Sequence, residues 1–159
     1  MSDRRVLIYG NSGSGKTTMA RALHAEHGLP HLDLDAIAWA EPGERLPLGE
    51  SVEQLQAFHR SHASWVIEGS YGSLVEAAVP LCTELVFLNP GVDACVANCR
   101  RRPWEPEKYA SAEEQNARLD FLLDWVRQYP ARDDEYGFDR HRSIFDTFDG
   151  EKREIRSSA

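Results

Sequence analysis

Val6-Leu7-Ile8-Tyr9 runs straight into Gly10-Asn11-Ser12-Gly13-Ser14-Gly15-Lys16-Thr17. A short, unbroken apolar run is the pattern of a strand covered on both faces, as in a parallel sheet. From Lys16 onward the period becomes helical, with Met19, Ala20, Ala22 and Leu23 on one broad face. Gly28 stands where a helix C-cap belongs, and Pro30 follows it. The chain therefore reads strand, glycine-rich loop, helix. Glycines at 10, 13 and 15 let the backbone curl so that successive N–H groups converge on one point, which suits an anion. The helix N-terminus adds the positive end of its dipole there.

The pattern GxxxxGK[ST] is satisfied in full at Gly10, Gly15, Lys16 and Thr17, and in the context it needs. The physics then predicts the ligand. Backbone amides of Gly10, Asn11, Ser12, Gly13, Ser14 and Gly15 cradle phosphates. Lys16 supplies a point charge to the β- and γ-phosphates, and the Thr17 hydroxyl is placed to ligate Mg²⁺. Thr18 is either a contact to the α-phosphate or a helix residue with a satisfied hydroxyl. The expected cofactors are ATP, or another purine nucleoside triphosphate, and Mg²⁺.

The rest of the chain fits one α/β domain over residues 1–159. His31–Asp35 reads as a second strand ending in acids, and residues 41–50 as a loop. Ser51 and Gln54 form a capping-box pattern ahead of Val52, Leu55 and Phe58. Trp65-Val66-Ile67 is a third strand, followed by a short helix around Leu74–Val79. Leu85–Leu88 is the fourth strand. Asp93 is placed to cap a helix that carries Val96 and Cys99 into Arg100-Arg101-Arg102, where Pro103 stops it. Residues 104–110 read as a loop. Ser111 and Glu114 make a second capping box, and one helix is expected behind it to about Gln128. Residues 130–140 read as irregular, with a last helix over Ser143–Phe148 and a fifth, edge strand over Lys152–Arg156. Strands alternating with helices predict a parallel sheet with right-handed crossovers.

The net charge of −8 argues against a nucleic-acid surface as the main function, because phosphate-backbone affinity is carried by Lys and Arg. No apolar run reaches the roughly 20 residues of a membrane span. The N-terminus leaves no room for a signal peptide before the first strand, and three cysteines form an odd, sparse set. The expectation is a cytoplasmic protein with reduced thiols and no membrane partner. His24, His27, His31, His59 and His62 show no metal-ligand spacing, and Cys82, Cys95 and Cys99 fall short of a zinc quartet.

The loop is common to several classes of nucleotide-binding protein. No Asn-Lys-x-Asp guanine motif occurs, and the late apolar strand ends Leu88-Asn89-Pro90 without an Asp-Glu pair. Gly10–Thr17 together with Leu32-Asp33-Leu34-Asp35-Ala36-Ile37-Ala38-Trp39 resembles the adenylate kinase/shikimate kinase group of P-loop kinases. Trp65-Val66-Ile67-Glu68-Gly69-Ser70-Tyr71 is similar to a Trp-Val-Ile-Asp-Gly-Asn-Tyr stretch of the bacterial DNA topology modulation (adenylate-kinase-like) proteins. Leu85–Pro90 and Leu119–Arg132 resemble further segments of that group. The family often has Asp at the places of Glu68 and Asn89, and Asn at that of Ser70. Its arginines between the third and fourth strands have no counterpart in residues 69–84.

The resemblance implies a three-layer P-loop NTPase fold with a five-stranded parallel sheet in the order 2-3-1-4-5. It implies a short lid at about residues 103–111. It also implies roles: Asp33 near Mg²⁺ through water, and Asp35 holding or deprotonating an acceptor hydroxyl. The alternative for Asp35 is an N-cap on a short helix at Ala36–Ala38, and for Asp33 a loop acid or ion-pair partner. Lid-root arginines would meet the phosphates, Arg100 or Arg101 on one side and Arg132, then Arg118, on the other; the alternative for each is a solvated cation near a helix end. Trp39 and Tyr71 lie where an acceptor pocket would form, and Glu68 either orients the acceptor or caps a turn. The expected function is an ATP- and Mg²⁺-dependent phosphotransferase acting on a small-molecule or nucleotide acceptor. The alternative is a nucleotide-binding regulatory module with weak or no transfer, acting on DNA topology.

Overall fold

The computed structural model describes residues 3–40 and 43–157. The central strand β1 (Arg5–Gly10) is buried from Val6 onward, and its residues divide between two cores. Leu7 and Tyr9 join Leu34, Trp65, Ile67, Leu85 and Phe87 on one face. Val6 and Ile8 join Val66, Val86 and Leu88 on the other. The unbroken apolar run follows from this division: both faces are covered, so neither can be polar.

The remaining sheet strands are β2 (His31–Asp33), β5 (Trp65–Gly69), β6 (Glu84–Leu88) and β7 (Glu151–Ile155). They pair in the order β2-β5-β1-β6-β7, all parallel. Counted among the sheet's own strands, this is 2-3-1-4-5. A small antiparallel ribbon, β3 (Trp39–Ala40) with β4 (Glu44–Arg45), stands apart from the sheet.

Helix α1 (Lys16–His27) covers one face through Ala20 and Leu23. It ends at Gly28, whose φ of 69° lies in the left-handed region that glycine favours. Helices α3 (Leu48–Ser61), α4 (Gly72–Ala78) and α8 (Phe138–Thr147) contribute Leu55, Leu74, Val75, Ala78 and Ile144 to the other face. Helices α5 (Val92–Arg101) and α7 (Leu119–Arg127) form a third cluster around Cys95, Cys99, Leu123 and Val126. Short helices α2 (Asp35–Ala38) and α6 (Ala112–Ala117) complete the chain.

Several expectations are corrected. Ser51 does not open a helix. Helix α3 begins at Leu48 after Pro47, and the Ser51 hydroxyl donates to Ile37 O (2.7 Å), tying α3 to α2 from a fully buried position. The expected loop at 41–50 contains β4 and the start of α3, while residues 41 and 42 lie outside the described residues. Asp93 sits in the first turn of α5, whose cap position is Gly91. The single helix expected to Gln128 is two, with a break at Arg118. The Ser111 cap does form, accepting Glu114 N–H at 3.1 Å. Helix α8 begins at Phe138, earlier than the Ser143 expected. Its buried His141 explains the mistake. A polar stretch packs inward because the imidazole finds two partners, the Tyr129 hydroxyl at 2.7 Å and Ser70 O at 2.9 Å. Burial lowers the His141 pKa to about 4, so the ring is neutral near pH 7.

Candidate active site

The phosphate loop leaves the C-terminal end of β1, at the sheet edge where ligands bind in open α/β folds. Gly13 and Gly15 have φ of 81° and 100°, conformations that side chains avoid. A Cβ on Gly15 would meet nothing within 4 Å, so the inside of the loop is open there. The first N–H groups of α1, which starts at the end of this loop, have no intrahelical acceptor by construction. Ser14 Oγ is buried without a hydrogen-bond partner. Such an orphaned hydroxyl is costly unless a ligand oxygen completes it. These features fit a bound polyphosphate.

The loop is braced from two helices. Asn98 of α5 donates Nδ2 to Gly13 O (2.9 Å), and Asn11 donates Nδ2 to Val126 O of α7 (3.2 Å). A Cβ on Gly13 would collide with the Cys95 carbonyl and approach Cys99 Sγ to 2.7 Å. Gly13→Ala is therefore expected to cost about 2 kcal/mol through overpacking against α5. Chemical denaturation measures it, and a midpoint equal to wild type would show that α5 yields freely.

Lys16 Nζ donates to Asn11 O at 2.7 Å, closing the loop on itself. Desolvation pulls the ammonium below the ordinary lysine value, against the Glu68 and Asp35 carboxylates, and Arg102 adds to the lowering. Thr17 Oγ1 donates to Glu68 Oε2 (2.9 Å), and the His31 Nε2 lies 3.0 Å from the same oxygen. Glu68 is only 2% exposed. It lies one residue before the end of β5, level with Asp33 of β2 in the sheet register. Sequence reasoning gave Glu68 a turn or acceptor role and not this bond to Thr17, because the two are joined only by the packing of α1 over the sheet. Thr18 is exposed and Ser12 half-buried.

The two aspartates are not side by side on an extended strand. β2 ends at Asp33, the chain turns at Leu34, and Asp35 is the first residue of α2. The Asp33 carboxylate accepts the Asp35 N–H at 2.9 Å, so the cap-like bond is made by Asp33 and not by Asp35. Both acids still converge, because Lys108 Nζ lies 3.0 Å from Asp35 Oδ2 and 3.8 Å from Asp33 Oδ2. Their protonation differs. Desolvation, with the Glu68 and Asp35 charges, raises Asp33 to about 6. Desolvation also pushes Asp35 upward, but the Lys108 ammonium, the Tyr71 hydroxyl and Lys16 outweigh it and hold Asp35 below the usual aspartate range. At neutral pH Asp35 is an ionised acceptor.

Beyond Asp35 lies an aromatic wall. Tyr71 donates its hydroxyl to Asp35 Oδ1 and accepts from Trp39 Nε1 (2.7 Å). The Arg45 guanidinium lies over the Tyr71 ring at 4.8 Å and donates to the Tyr136 hydroxyl (2.8 Å). Arg45 Nε is buried without a hydrogen-bond partner. Residues 69–84 hold no arginine, and the guanidinium beside Tyr71 comes from the β3–β4 ribbon, which carried no sequence signal.

The expected lid-root arginines are placed as follows. Arg100 is exposed on α5, and Arg101 donates to Asn98 Oδ1 (2.5 Å). Arg118 is exposed at the α6–α7 break. Arg132 forms a two-pronged pair with Asp134 (3.1 and 2.5 Å) and lies over the Trp125 ring at 4.5 Å. Of the consecutive triple, Arg102 is the member whose charge reaches Lys16, and it pairs with Glu105 at 3.5 Å. Among the described residues no group of three or more His, Cys, Asp or Glu is arranged to hold a metal ion. Thr17, Glu68 and Asp33 suit an ion that keeps its waters and takes further oxygens from phosphates, which is the habit of Mg²⁺.

No family model matches the chain, and no curated protein matches it. Solved structures do share its architecture. A sugar kinase from Janibacter sp. HTCC2649 superposes with a TM-score of 0.51 at 18% identity, covering 81% of this chain and 97% of that one. Shikimate kinase from Bacteroides thetaiotaomicron gives 0.51 at 19% identity, covering 79% and 78%. A gluconokinase from Sinorhizobium meliloti 1021 gives 0.50 at 18% identity, covering 96% and 82%. Nothing in these comparisons bears on DNA topology. At such identities they establish architecture: the chain has the fold of the small P-loop kinases, a five-stranded parallel sheet with the phosphate loop on its central strand.

Proposed function

We propose that the protein is a small-molecule kinase that moves the γ-phosphoryl group of Mg-ATP to an acceptor hydroxyl or phosphate. The observation that carries this reading is the Asp35 carboxylate held between the Tyr71 hydroxyl and the Lys108 ammonium, near enough to Lys16 of the phosphate loop to feel its charge. A nucleotide-binding module needs the loop; a carboxylate kept ionised beside Tyr71 and Trp39 suits an acceptor. Lys16 and the amides of Gly10–Thr17 bind the donor, and Thr17, with Asp33 and Glu68 behind it, faces the metal. Bound Mg²⁺ supplies neutralisation of charge on the β- and γ-oxygens. Asp35 orients the acceptor and takes its proton, and its low pKa favours orientation as the larger share. Segment 103–111 acts as a short lid over the acceptor side, with Arg102 at its root and Lys108 at its tip on Asp35.

Arg45, which pairs with Glu135 at 3.6 Å, and Tyr136 put polar groups on the far side of Tyr71 from Asp35. The similar folds of a sugar kinase, a shikimate kinase and a gluconokinase support hydroxylated acceptors as the first class to try. No helix among the described residues is long and apolar enough to cross a membrane.

The test incubates purified protein with Mg-ATP and a panel of sugars, sugar acids, shikimate-like polyols, nucleosides and nucleotides, read by mass spectrometry. One member is expected to gain the mass of a phosphoryl group. If none does while ATP binds, the transfer reading fails and the nucleotide-binding module stands.

A further inference from the structure

Lys108 is the one cation of segment 103–111, and its surroundings are built to place it. A single tight turn carries it, with the amides of Lys108 and Tyr109 both donating to Glu105 O (3.0 and 2.9 Å). The segment is then tied to α6: Glu105 N donates to Gln115 Oε1 (2.8 Å), and Gln115 Nε2 donates to Pro103 O (3.0 Å). Trp104 Nε1 closes the turn on Tyr109 O at 3.0 Å. The outcome is a preformed arm whose tip crosses to the opposite side of the site.

There the ammonium meets three carboxylates: Asp35 at 3.0 Å, Glu105 at 3.5 Å and Asp33 at 3.8 Å. Glu105 links it onward to Arg102 at 3.5 Å, at the root of the segment. A continuous chain of ion pairs therefore runs Arg102–Glu105–Lys108–Asp35, and hydrogen bonds carry it on through Tyr71 to Trp39. Without it, Asp33, Asp35 and Glu68 would leave several negative groups close together with Lys16 as their other near cation. A divalent ion arriving with a triphosphate would offer the same acids a stronger counter-charge at the same place.

We infer that Lys108 is a latch: in the empty protein it neutralises Asp33 and Asp35 and holds segment 103–111 down across the acceptor side, and it is released when a divalent ion takes over that counter-charge. The latch couples opening of the acceptor side to arrival of the metal-bearing donor. Loading is ordered in consequence, with the metal and donor ahead of the acceptor. The inference rests on the kinase reading for its purpose, but its test needs neither acceptor nor turnover, so the two fail separately.

The experiment compares wild type, Lys108→Met and Lys108→Arg without nucleotide. Mn²⁺ binding is followed by the loss of the free-ion electron paramagnetic resonance signal. Lys108→Met is expected to bind Mn²⁺ about tenfold more tightly, the upper range for relieving three partly exposed ion pairs, and Lys108→Arg to match wild type. Hydrogen exchange of peptides covering 103–111 provides a readout without metal. Lys108→Met should exchange faster than wild type, and Mn²⁺ should speed wild type toward it. Equal Mn²⁺ affinities, no Mn²⁺ bound by either protein at millimolar ion, or equal exchange in 103–111 would each overturn the latch. Thermal melting of all three proteins identifies a variant that has not folded.

Discussion

Asp35→Asn is expected to lower phosphoryl transfer by about 10²-fold, the low end of the range for removing a positioned general base because orientation is the larger share, while the affinity for ATP without divalent ion stays at the wild-type level. The substitution keeps the shape of the side chain and an oxygen for the Tyr71 hydroxyl to reach. It removes the charge that Lys108 contacts at 3.0 Å, but Lys108 retains Glu105 and Asp33. The phosphate loop does not bond to Asp35, so the donor side keeps its geometry. Turnover with the acceptor found by mass spectrometry gives the rate, and calorimetry gives the ATP affinity. Wild-type turnover in the variant would remove Asp35 from the chemistry. Equal losses in both measurements would mean that Asp35 serves donor binding instead.

The second large effect concerns Lys16. Lys16→Ala is expected to weaken triphosphate binding by about 10²-fold, from the loss of charge-assisted bonds to two phosphates worth about 3 kcal/mol together. Its bond to Asn11 O is also lost, so the loop itself relaxes. Lys16→Arg separates the two effects, since it keeps a charge but cannot occupy the same narrow space. Affinity for a non-hydrolysed ATP analogue, measured by calorimetry, should fall for both variants, further for alanine. Unchanged affinity in Lys16→Ala would overturn phosphate binding at this loop.

These two residues differ in how far the sequence exposes them. Lys16 is legible because everything that gives it meaning lies within ten residues: the apolar run of β1, three glycines and the start of α1. The same holds for the Ser111 cap, where donor and acceptor are three positions apart. Ser51 shows the limit. Its spacing to Gln54 imitates a cap, yet its hydroxyl goes to Ile37 O, which no local pattern reveals. Asp33 and Asp35 were found for an incomplete reason. The sequence reads both as the acidic end of one strand, whereas the chain bends between them and a lysine about 70 residues away brings them into one cluster. Glu68, Arg45 and Lys108 depend on such distant partners. Helix α8 escaped at its start because polar residues are ordinarily outside, and His141 is inside only through Tyr129 and Ser70.

The two asparagine braces of the phosphate loop have a wider meaning. One reaches the loop from the helix before segment 103–111 and the other reaches from the loop to the helix after α6, so the loop is tied to the helices on both sides of that segment. A change that tilts α5 against α7, even in the apolar contact of Cys99 or Leu123 on their inner faces, alters the spacing of the amides that grip phosphate. Substitutions far from any ligand would then be read in nucleotide affinity before they are read in melting temperature. Selection for affinity alone, starting from random variants, would be drawn to this helix pair as readily as to the loop.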